Sequence, residues 1–197
     1  RTAPYRTVLL LRRGALIARF APQATAVPLR GNVPTRVRKL SEQDGVDAII
    51  LAAAGLSRLG LDLSAFVVIE LAPEWWVPAP GQGALAAQCR ADDGDIAAQA
   101  GLLTDPACFT ATHWEREFLR VIEGGCSTPL GCYVVGGRAH LGIATERGWN
   151  ARSIELPQAF SEDSQRESFI RGAVAGCRPV ELSETDARSL GRAVLAR

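Results

Sequence analysis

Asp47-Ala48-Ile49-Ile50-Leu51-Ala52 is a short run that is continuously apolar after its first residue. Such a run is typical of a strand buried on both faces of a parallel sheet, and Val8 to Leu11 has the same character. Between these runs, Arg12 to Phe20 and Val33 to Leu40 have the pattern of helices, and Ala24 to Leu29 has that of a further short strand. The alternation predicts a parallel βαβ unit, so the first part of the chain is predicted to be α/β.

Prolines and a glycine interrupt this pattern over residues 72–81, Ala-Pro-Glu-Trp-Trp-Val-Pro-Ala-Pro-Gly, which predicts a crossover. Beyond it, Gly83 to Cys89 is predicted to form a strand. Asp105-Pro106 then predicts a helix start, with Asp as the cap and Pro at the first position, and Gly124-Gly125 predicts the helix end. The apolar stripe of this helix consists of Ala111, Trp114, Phe118 and Ile122.

The remaining chain has the pattern of an antiparallel meander. Strands are predicted over Cys132 to Gly136, Arg138 to Ala144 and Ala151 to Leu156, with turns at Gly136-Gly137 and Arg147-Gly148. A helix is predicted from Ser183 to the C-terminus. The second part is therefore predicted to be a small α+β domain with an antiparallel three-stranded sheet.

Composition limits the classes of function. Lys and Arg total 22 against 21 Asp and Glu, so a net charge of +1 gives no reason to expect nucleic acid or an anionic membrane as partner. No apolar run approaches the about 20 residues of a membrane span, and a cytoplasmic location is expected. The five cysteines contain no CxxC pair, so neither a disulfide framework nor a metal site is predicted. Met is absent even at position 1, which suggests a piece of a longer product.

One thiol lies on a glycine-hinged loop just after a predicted helix, in Glu123-Gly124-Gly125-Cys126-Ser127-Thr128-Pro129-Leu130-Gly131. Such a loop suits the covalent attachment of a cofactor, because a thiolate is a strong nucleophile. A lone cysteine is nevertheless more often an inert, small apolar residue. The residues of this loop alone leave the role of Cys126 open.

Arginines are concentrated near the ends of the predicted elements. Arg36 lies on the flank of the buried stripe of its helix, and Arg30-Gly31-Asn32 precedes that helix, where unpaired N–H groups favour an anion. Because a planar guanidinium binds a carboxylate through two parallel hydrogen bonds, and because α/β sheets bind ligands at strand ends, we predict one carboxylate-binding cleft. The arginines predicted to line it are Arg12, Arg13 and Arg58, placed at strand ends, together with Arg30 and Arg36.

Four motifs occur in order: Arg30 to Leu40, Asp47 to Gly60, Pro78 to Leu85 and the cysteine loop. Together they closely resemble the porphobilinogen deaminase family, also called hydroxymethylbilane synthase, and the resemblance runs from about Leu11 to Leu195. It implies a transferase of porphyrin and heme biosynthesis. Such an enzyme links four porphobilinogens into hydroxymethylbilane, a linear tetrapyrrole, and releases ammonia.

The resemblance also implies the roles of individual residues. In this family a dipyrromethane cofactor is attached through a thioether to the loop cysteine, here Cys126, and pyrroles are added to its free end. The partners implied are porphobilinogen and the growing pyrrole chain. The carboxylate-holding residues match Arg12, Arg13, Arg30, Arg36 and Arg58, and Asn32 and Gln82 fall in motifs that line the same site.

The implied domain organisation has three parts. Residues 1–76 correspond to a truncated central domain of a parallel-sheet, two-lobed, ligand-binding-like architecture, 77–94 return to a first domain absent from this chain, and 95–197 form the cofactor-bearing C-terminal domain. The family's catalytic Asp belongs to a His-Ser-x-Lys-Asp segment that this sequence lacks. No catalytic residue is therefore predicted here, and this chain alone is expected to be inactive.

Two other interpretations stay open, namely a non-catalytic carboxylate-binding module derived from the enzyme and a gene remnant. The full-length family is expected to be monomeric. In this chain, however, the predicted strand Gly83 to Cys89 would leave an unpaired edge, which favours self-association.

Overall fold

The computed structural model describes residues 4–7, 10–42, 46–122 and 128–179. Within these ranges the chain forms two sheets, with helices packed against them. The elements in chain order are β1 (Pro4–Thr7), α1 (Leu10–Phe20), β2 (Thr25–Pro28), α2 (Val33–Glu42), β3 (Ala48–Ile49), α3 (Ala53–Leu59), α4 (Gly94–Gly101), α5 (Pro106–Val121), β4 (Leu130–Val135), β5 (Arg138–Thr145), β6 (Gly148–Glu155), α6 (Asp163–Ala175) and β7 (Arg178–Pro179).

The first sheet has the strand order β2-β1-β3, and both of its pairings are parallel. β1 and β2 pair from Pro4↔Thr25 to Thr7↔Pro28, and α1 connects them. The predicted parallel βαβ unit is thereby confirmed, as are the helices α1 and α2. The two-lobed architecture stays a prediction, and so do the domain boundaries.

The strand predicted over Val8 to Leu11 is wrong at Leu10 and Leu11, which belong to α1, and Val8 and Leu9 lie outside the described residues. The strand lies earlier in the chain, in β1, and the end of the apolar run belongs to α1. A short apolar run does not by itself distinguish a strand from the start of a helix. The buried stripe of α1 contains Leu16 and Phe20, one helical turn apart, whereas Leu11 is 59% exposed.

The second sheet is antiparallel, with the order β4-β5-β6-β7. The predicted meander is confirmed, but the prediction of three strands is wrong, because the short strand β7 also pairs with β6. Two residues are too few to show a periodic pattern. In the β4–β5 turn, Gly136 and Gly137 have φ angles of 56° and 77°, the left-handed conformation that a tight hairpin requires.

The larger core lies between the second sheet and the helices α5 and α6. Asp105 caps α5 as predicted, since its side chain accepts a hydrogen bond from the Cys108 N–H at 2.6 Å. The predicted helix end at Gly124-Gly125 lies outside the described residues. The large buried side chains of this core include Phe118, Val121, Leu130, Cys132, Leu141 and Ile170.

Helix α1 joins the two sheets. Its residues Leu16 and Phe20 pack in one buried cluster with Val77 and with Trp149 of β6. The ring of Trp75 lies against Phe20, with 5.3 Å between the ring centroids. This cluster fixes α1 against the second sheet and brings its first turn beside the segment that begins at Val77.

The strand predicted over Gly83 to Cys89 is wrong. Residues 84–90 have no regular secondary structure, and Leu85 is 80% exposed. A strand requires a neighbour for its N–H and C=O groups, and this segment pairs with none of the described strands. Self-association of the chain stays a prediction.

Helices α3, α4 and α6 were not predicted from the sequence. The helix predicted from Ser183 lies outside the described residues. Among the helices that the structure describes, none combines the length and the apolar character needed to cross a membrane.

Candidate functional site

The first turn of α1 carries two adjacent arginines. Arg12 is only 5% exposed, and its Nη1 donates a hydrogen bond to the carbonyl of Val77. Its Nη2 lies 3.5 Å from Oε1 of Gln82. Burial, and secondarily the charge of Arg13, lower the pKa of Arg12 to about 10. Arg12 is therefore a buried cation with two uncharged oxygens as its acceptors.

Arg13 extends toward the neighbouring helix α2. Its Nη1 donates to the carbonyl of Ile50, directly after β3, at 3.1 Å. Burial lowers the pKa of Arg13, and the charge of Arg36 on α2 lowers it further. The Nε of Arg36 is itself buried and has no hydrogen-bond partner within the described ranges. Two helices thus present like charges to one region, which favours the binding of an anion there.

The prediction that Arg12, Arg13 and Arg58 lie at strand ends is wrong. The first two lie in the first turn of α1, and Arg58 lies in the last turn of α3. These three arginines were assigned to strand ends because a strand was predicted over Val8 to Leu11 and because helix α3 was not predicted. Arg13 nevertheless reaches the carboxyl end of β3 through its bond to Ile50, the edge at which α/β sheets bind ligands.

The N-terminus of α2 is built from Arg30, Gly31 and Asn32. The Oδ1 of Asn32 accepts the N–H of Thr35 at 3.0 Å and so caps the helix. Gly31 has a φ of 124°, and a Cβ at this position would lie 2.8 Å from Cγ2 of Thr35, so glycine is required. Arg30 is exposed, and its carbonyl accepts from the Nζ of Lys39 at 2.9 Å.

Gln82 lies in a turn between two glycines in the left-handed conformation, Gly81 with a φ of 71° and Gly83 with a φ of 92°. Arg58 holds this turn by donating from Nη2 to the carbonyl of Gly83 at 2.7 Å. The Gln82 side chain in turn accepts from Arg12. The structure thus links Gln82 with two of the predicted arginines.

Glu115 is a buried carboxylate that was not predicted from the sequence. It is 7% exposed, and its Oε2 accepts the N–H of Gly81 at 2.7 Å while its Oε1 accepts the N–H of Val134 at 2.9 Å. Burial raises its pKa, and the two N–H groups oppose that rise. A signal existed in the sequence, because Glu115 falls on the apolar stripe between Ala111 and Phe118, where a charged residue is unusual.

Cys126 lies outside the described residues, so its covalent attachment stays a prediction. Of the other cysteines, Cys132 and Cys177 are buried, and burial raises the pKa of both thiols, that of Cys132 well above its usual value. These two thiols are therefore poor nucleophiles. Cys108 is exposed on α5.

Comparison with known proteins identifies one family. Residues 9–98 match the family described as "Porphobilinogen deaminase, dipyromethane cofactor binding domain". The chain belongs to the porphobilinogen deaminase family. The resemblance predicted from the four motifs is thereby confirmed. Cys126 lies beyond the matched range, which contains Arg12, Arg13, Arg30, Asn32, Arg36, Arg58 and Gln82.

Individual porphobilinogen deaminases align with most of this chain. That of Halalkalibacterium halodurans is 39% identical over 180 residues, which is 91% of this chain and 53% of the relative. That of Syntrophobacter fumaroxidans is 40% identical over 93% of this chain and 52% of the relative, and that of Chromobacterium violaceum is 39% identical over 96% and 59%. The chain spans about half the length of the curated relatives it matches.

The described residues fit the acidic groups of the dipyrromethane that the name of this porphobilinogen deaminase domain implies. Within the described part of the chain, Arg12 donates to two neutral oxygens, and the buried Nε of Arg36 lacks an acceptor. A carboxylate offers the acceptors that both groups lack, and a guanidinium can bind it through two parallel hydrogen bonds.

Proposed function

We propose that this chain is the cofactor-bearing part of a transferase that links four porphobilinogens into hydroxymethylbilane and releases ammonia, in porphyrin and heme biosynthesis. Cys126 carries the dipyrromethane through a thioether. The carboxylates of this cofactor and of the growing pyrrole chain are held by Arg12, Arg13, Arg30, Asn32, Arg36, Arg58 and Gln82. Family membership supports the proposal, and the observation that carries it is the cluster of Arg12, Arg13 and Arg36.

This cluster supports a carboxylate-binding role because, within the described residues, Arg12 donates to neutral oxygens and the buried Nε of Arg36 has no acceptor. Removal of Arg12 and Arg13 from water disfavours their charged forms, as the lowered pKa values of both residues record. A bound carboxylate offsets that cost and also the repulsion between Arg13 and Arg36. Each hydrogen bond between such charged groups contributes about 1.5–3 kcal/mol.

When bound, dipyrromethane supplies the free pyrrole end to which further units are joined. The residues of this chain bind the acidic groups of the dipyrromethane and orient it. Arg12 is held by Val77 and Gln82, and Arg13 by Ile50, so both guanidinium groups are fixed before a ligand arrives. This arrangement lowers the entropy cost of placing an acidic pyrrole beside them.

No residue of this chain is proposed as the catalytic acid. The His-Ser-x-Lys-Asp segment occurs nowhere in the 197 residues, and we place the catalytic carboxylate outside them. The chain by itself is therefore proposed to carry the cofactor without completing turnover. Formation of hydroxymethylbilane from porphobilinogen by the purified chain alone would contradict this assignment.

The first test is the intact mass of the chain produced in cells that make porphobilinogen. Three proteins are compared: the wild-type chain, Cys126→Ser and, as matched control, Cys108→Ser, which removes an exposed thiol. We expect an added mass equal to dipyrromethane in the wild-type chain and in the control, and none in Cys126→Ser. A bare mass in all three would contradict the cofactor role. Calorimetric binding of porphobilinogen by that bare protein would then favour a carboxylate-binding module, and its absence a gene remnant.

A further inference from the structure

The segment that begins at Val77 runs beside β4, which forms one edge of the second sheet in the described part of the chain. The Cys132 N–H donates out of the sheet to the carbonyl of Pro78 at 2.9 Å. Gly131 permits this close approach, because a Cβ there would lie 2.8 Å from the carbonyl oxygen of Val77. The next N–H that leaves this edge, that of Val134, is accepted by Glu115.

Glu115 therefore joins two separate segments with one carboxylate. One oxygen accepts the N–H of Gly81 and the other that of Val134. An ionised carboxylate is suited to two donors because it only accepts, whereas a glutamine amide would turn an NH₂ group toward one of them. Within the described ranges no cation forms an ion pair with Glu115, and its two oxygens accept these two backbone N–H groups.

The turn that Glu115 holds is the turn that carries Gln82. Arg58 anchors its other end at Gly83, and Arg12 contacts the Gln82 side chain between these anchors. The Oε1 of Glu115 accepts the N–H of Val134 in β4, a strand that begins four residues after Cys126 in the sequence.

We propose that Glu115 is a positioning residue for the carboxylate-binding site. Its carboxylate fixes the turn of residues 81–83 to β4 and thereby orients Gln82 toward Arg12. Only the effect of this positioning on cofactor loading rests on the proposed function, since the positioning itself concerns contacts within the chain.

The test compares Glu115→Gln with Glu117→Gln by ¹⁵N NMR. Glu117 lies on the same helix and forms ion pairs with Arg120 and Arg166, so its substitution removes the same charge without touching the turn. In Glu115→Gln we expect hydrogen exchange at the Gly81 amide to accelerate by about tenfold or more, and the Gln82 side-chain amide and Arg12 Nε–H resonances to shift. In Glu117→Gln they should stay in place. A folded Glu115→Gln protein with unchanged Gln82 and Arg12 resonances would overturn the proposal.

A pH titration of the wild-type chain gives the same information if Glu115→Gln fails to fold. The Gly81 and Val134 amides and the Gln82 side-chain amide should move together, with one midpoint above the usual pKa of a glutamate. Cys132, a described titratable group whose pKa is affected by the charge of Glu115, has a strongly raised pKa and stays protonated over this range. If the chemical shift of the Gln82 side-chain amide stayed constant through the pH transition seen at Gly81, the proposal would be overturned.

The effect of Glu115 on cofactor loading is tested by measuring the intact mass of the same variants, made in cells that supply porphobilinogen. We expect the loaded fraction to fall several-fold in Glu115→Gln and to be unchanged in Glu117→Gln. Equal loading of a folded Glu115→Gln protein would refute an effect on the site. If the wild-type chain itself carries no added mass, the proposed function fails, and the two NMR measurements still decide the positioning.

Discussion

Arg36 on α2 lies close enough to Arg13 on α1 for its positive charge to lower the pKa of Arg13. The fold holds the two charges near each other, and unfolding relieves the repulsion between them. An anion bound beside both residues relieves it as well, without unfolding. Ligand binding and folding stability are consequently expected to be coupled at this pair.

We predict that Arg36→Met stabilises the unliganded chain and weakens the binding of porphobilinogen. The substitution keeps an apolar stem of similar length, removes the repulsion, and removes the buried Nε that has no acceptor within the described ranges. Loss of its bonds to a carboxylate should weaken binding by about 10- to 100-fold. Thermal unfolding and calorimetric titration measure the two effects.

The matched control is Arg38→Met on the same helix. Arg38 forms an exposed ion pair with Glu42 at 3.0 Å, so its removal should change stability by less than about 1 kcal/mol and leave binding unchanged. If Arg36→Met instead lowered stability and left binding intact, the cluster of Arg12, Arg13 and Arg36 would serve the stability of the fold and not the binding of a ligand.

Gly31→Ala is predicted to damage the N-terminus of α2. The left-handed backbone and the contact with Thr35 both oppose a side chain, at a cost of about 1–3 kcal/mol in unfolding free energy.

Gly172→Ala provides a control of the opposite sign. Gly172 lies on the exposed face of α6, and a Cβ added there would meet no atom within 4 Å, so alanine should stabilise by about 0.5–1 kcal/mol. Urea unfolding distinguishes them, and equal effects of the two substitutions would exclude backbone strain at Gly31.

The raised pKa of Glu115 predicts a pH-dependent stability difference from Glu115→Gln. Because the fold favours the protonated form, the contribution of Glu115 is most favourable below the usual pKa of about 4.3 and is lost as pH rises through the raised value. The wild-type chain should therefore lose stability relative to Glu115→Gln as the pH rises from the usual pKa of a glutamate through the raised pKa of Glu115.

Glu117 should show the opposite trend, since its hydrogen bond to Arg120 lowers its pKa. Its contribution is present above the usual pKa and is lost as pH falls through the lowered value. Urea unfolding of both variants across the pH range tests the signs, and two parallel trends would contradict the assignment.

Periodic signals predicted α1, α2, α5 and the meander β4–β6 correctly, because each repeats its apolar pattern over several residues. They failed where the pattern is short, as at Val8 to Leu11, or where pairing depends on a partner strand, as at Gly83 to Cys89. The family motifs in the sequence identified the arginines of the candidate site. The bonds from Arg12 to Val77 and from Glu115 to Gly81 join residues distant in sequence, and no local pattern encodes them.

Gly142→Ala is predicted to act on the site from a distance. A Cβ at Gly142 would lie 2.0 Å from Cζ2 of Trp149, so the ring must move. Trp149 packs with Leu16 and Phe20 of α1, and displacement of the ring should loosen the helix whose first turn carries Arg12. The cost of such overpacking is about 1–3 kcal/mol in urea unfolding followed by tryptophan fluorescence. If α1 transmits the change, the Arg12 Nε–H resonance shifts and porphobilinogen binding weakens at temperatures where the protein is fully folded. A destabilised protein with an unmoved Arg12 resonance would instead show that the bonds to Val77 and Gln82 hold the arginine independently of the aromatic cluster.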